Sequence, residues 1–313
     1  MVIHLEETDH LSKNTDTNYK LFTHSSIKKM MAEYTKLQKV LLLKAALCAF
    51  YLTAFFGDRI GMPSFSEKFF GQKNNAMRKS ASDWAGLGLF IMTLDMLYAA
   101  LKCSKAVQQR VCNGQIMHSM LMLAVHACFS SQKFGGKLVH KEHVMGGFLT
   151  LALTFVMSAG LAGGMEPAKR HFLKGCKGLT HGCLIIYWAC FFFYITTFQL
   201  GDFPSQNYIA CQGRGFCRAK DSVFYDINVF TSSMWFMVNM MTYFMLMSGS
   251  DNEQKSFALY RMATVALLQI PLMMSEKAMT VPKEYTNGVV AMSICLTALA
   301  CAAFSDKIKP KKA

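Results

Sequence analysis

The sequence predicts an all-α integral membrane protein with about eight transmembrane helices, arranged as two tandem four-helix units. Of its 313 residues, 52% are hydrophobic and only 17% are charged, and the mean hydropathy is +0.23. Soluble chains carry about 25% charged residues, so we expect neither a soluble nor a disordered chain. The apolar residues also fall in eight stretches of near-spanning length, and the second half of the chain repeats features of the first.

Each apolar stretch is close to the length of about 17 to 25 residues that a helix needs to cross a bilayer. The predicted spans are Val40–Phe56, Trp84–Leu101, Ile116–Ser131, Val144–Gly164, Gly182–Leu200, Val223–Met247, Ala258–Met274 and Gly288–Phe304. The third and seventh stretches are short and carry polar residues, and six spans remain without them. In either case the number of spans is even, so both termini share one side of the membrane.

The spans divide the chain into five segments. We expect a cytosolic N-terminal segment at 1–39, a first membrane unit at 40–164, a basic cytosolic linker at 165–181, a second membrane unit at 182–304 and a basic cytosolic tail at 305–313. Within the first segment, Ser25–Lys39 has apolar residues at helical spacing beside lysines, which predicts an amphipathic helix. This helix is either a solvated lead-in to the first span or a membrane-surface helix.

The distribution of Lys and Arg sets the expected orientation. The side with both termini carries 18 of these residues and the opposite side 13, which favours cytosolic termini. The net charge of +14 is thus spread over membrane borders, and we expect the lipid bilayer rather than nucleic acid as the partner. The chain ends Lys309-Pro310-Lys311-Lys312-Ala313, which resembles a dilysine retrieval signal of endoplasmic-reticulum proteins. A tail that only satisfies the charge bias is the alternative.

A comparison of the two halves indicates an internal duplication. A shift of 142 or 143 positions aligns Cys48 with Cys190, Asp83 with Asp226, Lys141-Glu142 with Lys283-Glu284, and Gly146 with Gly288. A Gly-Asp pair also follows the first span of each half. Because each unit has an even number of spans, both enter the membrane from the same side. We therefore expect a parallel repeat whose pseudo-two-fold axis runs along the membrane normal.

Ionisable and amide side chains within the spans are the candidate binding residues, because such groups are unfavourable at membrane depth. The candidates are Asp95, Gln115, His118 and His126 in the first unit and Asn239, Arg261 and Gln269 in the second. A shift of 143 equates the two histidines with Arg261 and Gln269, and Asn239 lies one residue from the match of Asp95. We expect Asp95 to pair with a protonated histidine across the bundle. The cluster would be a helix-orienting network, a ligand pocket or an acid/base centre.

Cysteines and metals take little part in the expected function. Cys211 and Cys217 flank a glycine-rich loop on the non-cytosolic side and are candidates for a disulfide if that side is oxidising. His118 and His126 lie about 12 Å apart along one helix and cannot share a metal ion. We expect no metal and no cofactor, and the sequence has no nucleotide-binding, hydrolase or protease signature.

Two functions fit these features. The first is a non-enzymatic endomembrane protein that binds or transports a small hydrophobic or ionic ligand, or scaffolds other membrane proteins. In layout, each four-span unit resembles small four-helix membrane families such as the sterol-scaffold and DoxX-like proteins. The alternative is a membrane-embedded acid/base enzyme of the isomerase type, which would use Asp95, His118 and His126 on a lipid or sterol-type substrate. An enzyme requires these three side chains to converge around a cavity.

Overall fold

A computed structural model describes residues 33–56, 76–130, 141–168, 178–194, 222–271 and 283–308, and this part of the chain is all-helical, which confirms the all-α prediction. Its helices are α1 Lys36–Phe56, α2 Ala76–Lys102, α3 Lys105–Ser130, α4 Lys141–Gly160, α5 Leu179–Tyr194, α6 Ser222–Ser248, α7 Asp251–Thr264 and α8 Lys283–Ile308. A π-helical turn, Val265–Gln269, continues α7. Each of the eight apolar stretches coincides in large part with one helix. Most of the predicted amphipathic segment Ser25–Lys39 lies outside the described residues.

Three helices begin well before the apolar stretches that predicted them. α2 begins at Ala76, α3 at Lys105 and α7 at Asp251, which is eight, eleven and seven residues ahead of the corresponding stretches. The first turn of α7 is polar, but a capping box holds it: the Ser250 side chain accepts a hydrogen bond from the Glu253 N–H, and the Glu253 carboxylate accepts one from the Ser250 N–H at 2.7 Å. This cap stabilises a helix start that hydropathy cannot detect.

Two tight helical hairpins, α2–α3 and α6–α7, have the same construction. α2 and α6 are each 27 residues long, and two residues separate each of them from the next helix. The Gln108 side chain donates to the carbonyl oxygens nine and five residues before it, at 3.1 and 2.9 Å. The Gln254 side chain donates to the carbonyl oxygens at the same two spacings, at 3.4 and 3.3 Å. Each glutamine thereby adds a side-chain donor to carbonyl groups at the end of the preceding helix, where intrahelical donors run out.

The helices α2 and α6 form the centre of the bundle. A Cβ atom added to Gly88 of α2 would lie 3.1 Å from the Cβ atom of Met234 in α6, so a glycine is what allows this close approach. Nearby, the Trp235 indole N–H donates to the Trp84 carbonyl oxygen at 3.2 Å, and the two rings meet edge-on with centroids 5.6 Å apart. The hydrophobic core therefore runs continuously from the first half of the chain into the second.

The outer helices repeat one packing arrangement. α1 packs against α2, α3 and α4, and α3 packs against both α2 and α4. α5 likewise packs against α6, α7 and α8, and α7 packs against both α6 and α8. Within the described residues, every one of these helix pairs in the first half has its counterpart in the second. Between the halves, α6 packs against both α2 and α3.

Some positions of the bundle combine a polar side chain with full burial or a large apolar side chain with exposure. Asp95 and Arg261 are 1% and 0% exposed, whereas Phe50, Phe155 and Leu267 are 74%, 79% and 73% exposed. The charged pair therefore lies within the apolar core, and these three apolar side chains lie on the surface. Asp and Arg are rarely fully buried in proteins.

Apolar helical segments of different lengths occur in the described part of the chain. One of them, Asp83–Lys102 in α2, is long and apolar enough to cross a membrane by length and composition. Most of this segment is buried inside the bundle, as expected for a central helix. Shorter apolar segments lie at Leu151–Gly160 in α4, Leu179–Phe193 in α5 and Ser293–Ala302 in α8.

Candidate functional site

The interior of the bundle contains an ion pair between two of the predicted residues, Asp95 of α2 and Arg261 of α7. The Arg261 Nη2 atom lies 2.9 Å from Asp95 Oδ2, and the side chains are 1% exposed or less. The same Nη2 atom donates to the Val238 carbonyl oxygen of α6 at 3.2 Å. Arg261 therefore contacts both central helices through one nitrogen. Burying two charges is unfavourable unless each is well matched, so this pair is the first candidate for a functional centre.

Aromatic side chains enclose the ion pair. The Tyr260 hydroxyl donates to Asp95 Oδ1 at 2.8 Å, so both carboxylate oxygens have a partner. The Tyr260 ring stacks on Tyr98 of α2, with centroids 4.3 Å apart. The guanidinium carbon of Arg261 lies 5.1 Å from the centre of the Phe257 ring, within cation–π distance. These rings keep water away from the pair and strengthen its electrostatic interaction.

Arg261 keeps hydrogen-bonding capacity that the described chain does not use. A guanidinium carries five N–H donors, and Nη2 directs its two at Asp95 and Val238. Nε and Nη1, which carry the other three, are buried and have no partner among the described residues. A buried donor without an acceptor costs about 1 to 3 kcal/mol. The arrangement is therefore suited to a further oxygen acceptor, from water or from a ligand.

Two more of the predicted residues are buried with unused polar atoms. Gln115 of α3 is 0% exposed, and neither its amide nitrogen nor its amide oxygen has a partner in the part of the chain that the structure describes. Asn239 of α6 is equally buried, and its Nδ2 donates to the Trp188 carbonyl oxygen of α5 at 3.3 Å. Its Oδ1 has no partner over the same ranges. The interior thus offers unused acceptors as well as unused donors.

The other predicted residues lie at varied places. His118 is buried on α3, and Gln269 is buried in the π-helical turn that continues α7. The side chain of His126 and the predicted disulfide between Cys211 and Cys217 lie outside the described residues. Of the predicted residues, the described structure therefore pairs Asp95 with Arg261 and buries Gln115 and Asn239 with unused polar atoms.

Sequence reasoning did not identify the partner of Asp95. We expected a histidine, whereas the cation that contacts the carboxylate is Arg261, and Tyr260 binds its second oxygen. Arg261 was itself a candidate, but 166 positions separate it from Asp95. A signal was present in the order Phe257, Tyr260, Arg261, because residues three and four apart share one face of a helix. That face carries two aromatic rings and a cation.

At one end of the bundle, the turns of the two hairpins contact each other. Glu253 Oε1 accepts a hydrogen bond from the Ser104 backbone N–H at 2.5 Å, and Oε2 accepts from the Ser250 N–H and hydroxyl at 2.7 and 2.8 Å. Burial acts to raise the pKa of Glu253, but these hydrogen bonds to the charged carboxylate outweigh it, and the net pKa is lowered. One carboxylate therefore caps α7 and ties it to the start of α3.

A buried histidine that sequence reasoning missed joins the same region to α5. His181 Nδ1 lies 2.8 Å from Gln254 Oε1. Because the Gln254 amide nitrogen donates to two carbonyl oxygens, its Oε1 is the acceptor and His181 Nδ1 carries the proton. His181 Nε2 is buried without a partner among the described residues. In a neutral imidazole this atom is a further unused acceptor.

The donor set of the site suits hydrogen bonding more than metal coordination. It consists of a guanidinium, two amides and a carboxylate whose oxygens are both engaged, whereas metal sites use free carboxylates, imidazoles and thiolates. Across the described ranges, no group of three or more His, Cys, Asp or Glu residues is placed to hold a metal ion. Comparisons with protein-family models, with curated proteins and with solved structures found no match.

Proposed function

We propose that this protein is a multipass membrane protein of two tandem four-helix units, and that it binds or transports a small ligand at the polar centre between them. The observation that carries this proposal is that a charged pair and several amide side chains are buried within the apolar core of the bundle, while several large apolar side chains are exposed on its surface. A polar ligand within a bilayer needs an interior of this kind, because lipid offers no hydrogen bonds.

The exposed apolar surface supports a bilayer as the surroundings of the bundle. Phe50, Phe155 and Leu267 lie on three different helices and are all more than 70% exposed. The other large apolar side chains exposed on the described helices include Leu43, Met117, Met120, Leu151, Ile186, Phe193, Val290 and Ile294. Leaving a large apolar side chain in water costs about 1.5 to 3 kcal/mol relative to burying it. Contact with lipid removes the free-energy cost of such a surface.

The helix lengths agree with this proposal. α1 and α4 have 21 and 20 residues, which is about 30 Å at a rise of about 1.5 Å per residue. The hydrocarbon core of a bilayer is also about 30 Å thick. α2 and α6 have 27 residues each and reach about 40 Å, enough to span with a tilt or to extend beyond the lipid core.

The helix bounds support the tandem duplication, with a longer shift in the central hairpins than sequence comparison suggested. α2 begins and ends at Ala76 and Lys102, and α6 at Ser222 and Ser248, so both bounds differ by 146 positions. The starts of α3 and α7, and the two glutamines that close the hairpins, differ by the same 146. α4 and α8 begin 142 positions apart, as the sequence comparison predicted.

The contact between the central helices supports a two-fold axis along them. In a two-fold arrangement, a residue near the axis lies against its own counterpart. Gly88 and Met234, which lie at the close approach of α2 and α6, differ by 146 positions. The matched packing of α1 to α4 and of α5 to α8 supports the same relation. The polar centre then lies beside the axis of a parallel repeat, where transporters of this architecture bind substrate.

The state of Asp95 favours binding over chemistry. A general acid or base has to reach a proton of its substrate, and both oxygens of this carboxylate already accept hydrogen bonds from Arg261 and Tyr260. A pure scaffold, in turn, would satisfy its buried polar groups locally, whereas Arg261 and Gln115 retain unpartnered donors among the described residues. The isomerase-like alternative requires Asp95 to exchange partners during a reaction, so we place it second.

Membrane residence is tested by two variants that introduce the same charge at different distances from the middle of α4. Phe155→Asp puts a carboxylate on the exposed face of α4, and Met165→Asp puts the same charge on an exposed residue beyond the end of that helix. We expect Phe155→Asp to abolish accumulation of the protein in carbonate-washed membranes, because aspartate at the centre of a span costs about 2.5 to 3.5 kcal/mol. Met165→Asp should insert normally. Equal behaviour of the two variants, or extraction of the wild type by carbonate, contradicts the proposal.

Ligand binding is tested on the full chain in lipid nanodiscs. We expect denaturation of the wild-type protein to release a co-purified small molecule that mass spectrometry of the released fraction detects. The neutral double variant Asp95→Asn with Arg261→Gln should not carry this molecule, although it keeps the polar volume of the centre. Wild-type protein that carries nothing, or a variant that carries the same molecule, argues against a binding function of this centre.

We also propose the endoplasmic reticulum as the location, with both termini cytosolic. The basis is the tail with Lys309 and Lys311, which lies outside the described residues. Replacing both lysines with serine should redistribute a tagged full-length chain to later compartments of the secretory pathway. An unchanged distribution would leave the tail as a charge-bias feature only.

A further inference from the structure

Gln115 and Arg261 share an unusual state. Both are 0% exposed, and both hold N–H groups that have no partner among the described residues. Their positions differ by 146, the same shift that relates the bounds of α2 and α6. Stability of the fold gives no reason to keep unpartnered N–H groups at both positions. Replacing an unpartnered buried amide with an apolar group of the same shape is neutral or stabilising.

The contacts beside these two positions follow the same shift. In the second half, Tyr260 of α7 stacks on Tyr98 of α2. In the first half, Gly114 of α3 lies so close to Phe244 of α6 that an added Cβ atom would overlap the phenyl ring. Tyr98 and Phe244 differ by 146 positions, and so do Gly114 and Tyr260. The next residue on each helix is the polar one, so the two polar positions are structurally equivalent.

The surroundings of Gln115 and of Arg261 differ in helix separation and in charge. Gly114 allows α3 to pack directly on α6, whereas Tyr260 meets α2 through ring stacking and holds the α7 backbone away. The shift equates Asp95 with Met241, so Gln115 has no carboxylate in the equivalent position. One place therefore presents a neutral amide, and the other presents a guanidinium whose charge is already balanced by Asp95.

We propose that Gln115 and Arg261 are the equivalent ligand-contacting residues of the two units, and that the ligand is a small neutral molecule of the amide or urea class. This inference rests on the proposed ligand-binding function. Because the ion pair is neutral as a whole, an ionic ligand would bring an unbalanced charge into a low-dielectric interior. A neutral carbonyl oxygen accepts from Arg261 Nε or Nη1 or from the Gln115 amide nitrogen. The N–H groups of the same ligand donate to the oxygens of Gln115 or Asn239.

Acetamide is the probe for this inference, and potassium acetate of equal concentration is its charged counterpart. The readout is the thermal unfolding of the full chain in lipid nanodiscs, since a ligand of the folded state raises the melting temperature by mass action. We expect a saturable rise with acetamide and no rise with acetate beyond that of potassium chloride. Gln115→Met should weaken the acetamide affinity by about tenfold, as expected for the loss of one hydrogen bond in a buried site.

Without a probe, two matched substitutions separate a ligand contact from a structural residue. Gln115→Met should leave the melting temperature unchanged or raise it by about 2 to 4 °C, because an unpartnered buried amide is removed. Gln254→Met should lower the melting temperature, because this glutamine bonds His181 and two carbonyl groups.

Three results of the acetate and variant comparisons overturn the inference. These are a rise with acetate equal to that with acetamide, an acetamide effect that Gln115→Met leaves unchanged, and a destabilisation by Gln115→Met equal to that by Gln254→Met. A wild-type chain that resists carbonate extraction but does not respond to acetamide also overturns it, while the proposed membrane residence stands. Carbonate extraction of the wild type contradicts the proposed function itself.

Discussion

Removing one partner of the buried ion pair should destabilise the fold far more than removing both. At 2.9 Å and an effective dielectric constant of about 20, the attraction between Asp95 and Arg261 is about 6 kcal/mol, and desolvation of the two charges offsets much of it. Asp95→Asn leaves the guanidinium buried without a counter-charge. We therefore expect this variant to lose about 3 to 5 kcal/mol of unfolding free energy.

The matched double variant, Asp95→Asn with Arg261→Gln, removes both charges and keeps polar side chains of similar shape. We expect it to lie within about 1 to 2 kcal/mol of the wild type, since a buried pair contributes little net stability. Tyr260→Phe is the milder control. It removes the hydroxyl that donates to Asp95 but keeps the ring on Tyr98, and its expected cost is about 1.5 to 3 kcal/mol, the range for a hydrogen bond to a charged group.

The assay is denaturant unfolding of the full chain in detergent micelles, followed by tryptophan fluorescence. Trp235 is a suitable reporter because it is buried and contacts α2 through Trp84. A double-mutant cycle separates the interaction between the two charges from the effects of each substitution. A cost of less than about 1 kcal/mol for Asp95→Asn would contradict this prediction, and so would single effects that add in the double variant. Either result would mean that water screens the pair.

Three further predictions concern helix contacts and pH. Gly114→Ala should lower the unfolding free energy by about 1 to 3 kcal/mol, because the added methyl group overlaps the Phe244 ring; Phe244→Leu in the same chain should restore part of this loss in thermal unfolding. The pKa of Glu253 is lowered, so its carboxylate stabilises the fold above the ordinary glutamate pKa of about 4.3. This stability is lost as the pH falls through the lowered pKa, and Glu253→Gln should reduce the acid dependence of the melting temperature. Gln108→Ala and Gln254→Ala should each cost about 1 to 3 kcal/mol in denaturant unfolding, because both expose helix-end carbonyl groups to an apolar interior.

Each of these predictions has a contrary outcome. A wild-type melting temperature for Gly114→Ala would mean that α3 and α6 are not in close contact. Unchanged acid dependence in Glu253→Gln would assign the effect to other carboxylates. A cost for Gln254→Ala several times that for Gln108→Ala would contradict the equivalence of the two hairpins.

The positions of the helices were predictable from hydropathy, because a helix that borders lipid or an apolar core needs a long run of apolar residues. The helix starts were less predictable. α7 begins with Asp251 and Asn252, which hydropathy excludes, because the capping box of Ser250 and Glu253 stabilises this polar turn. Local hydrogen bonds, rather than apolar burial, determine such a boundary.

The sequence predicted which residues belong to the candidate site, but it did not predict which of them contact each other. The free-energy cost of a buried charge singled out Asp95 and Arg261 before their contact was known. Their partnership depends on how α7 crosses α2, which no local pattern encodes. The same applies to the equivalence of Gln115 with Arg261 that we propose. A single shift of 142 or 143 positions could not reveal it, because the shift changes between the outer helices and the central hairpins.

By itself, the sequence predicted the helices of the described residues, their approximate positions, and which polar residues are too costly to bury without a partner. These properties follow from composition and from spacing along a single helix. Only the tertiary structure decided which cation balances Asp95, which donors of Arg261 and Gln115 have no partner among the described residues, and which helix bounds share a shift of 146 positions. The physical reason is that contacts between helices depend on crossing geometry and on single close approaches such as that of Gly88 to Met234, and these arise from the packing of the whole chain.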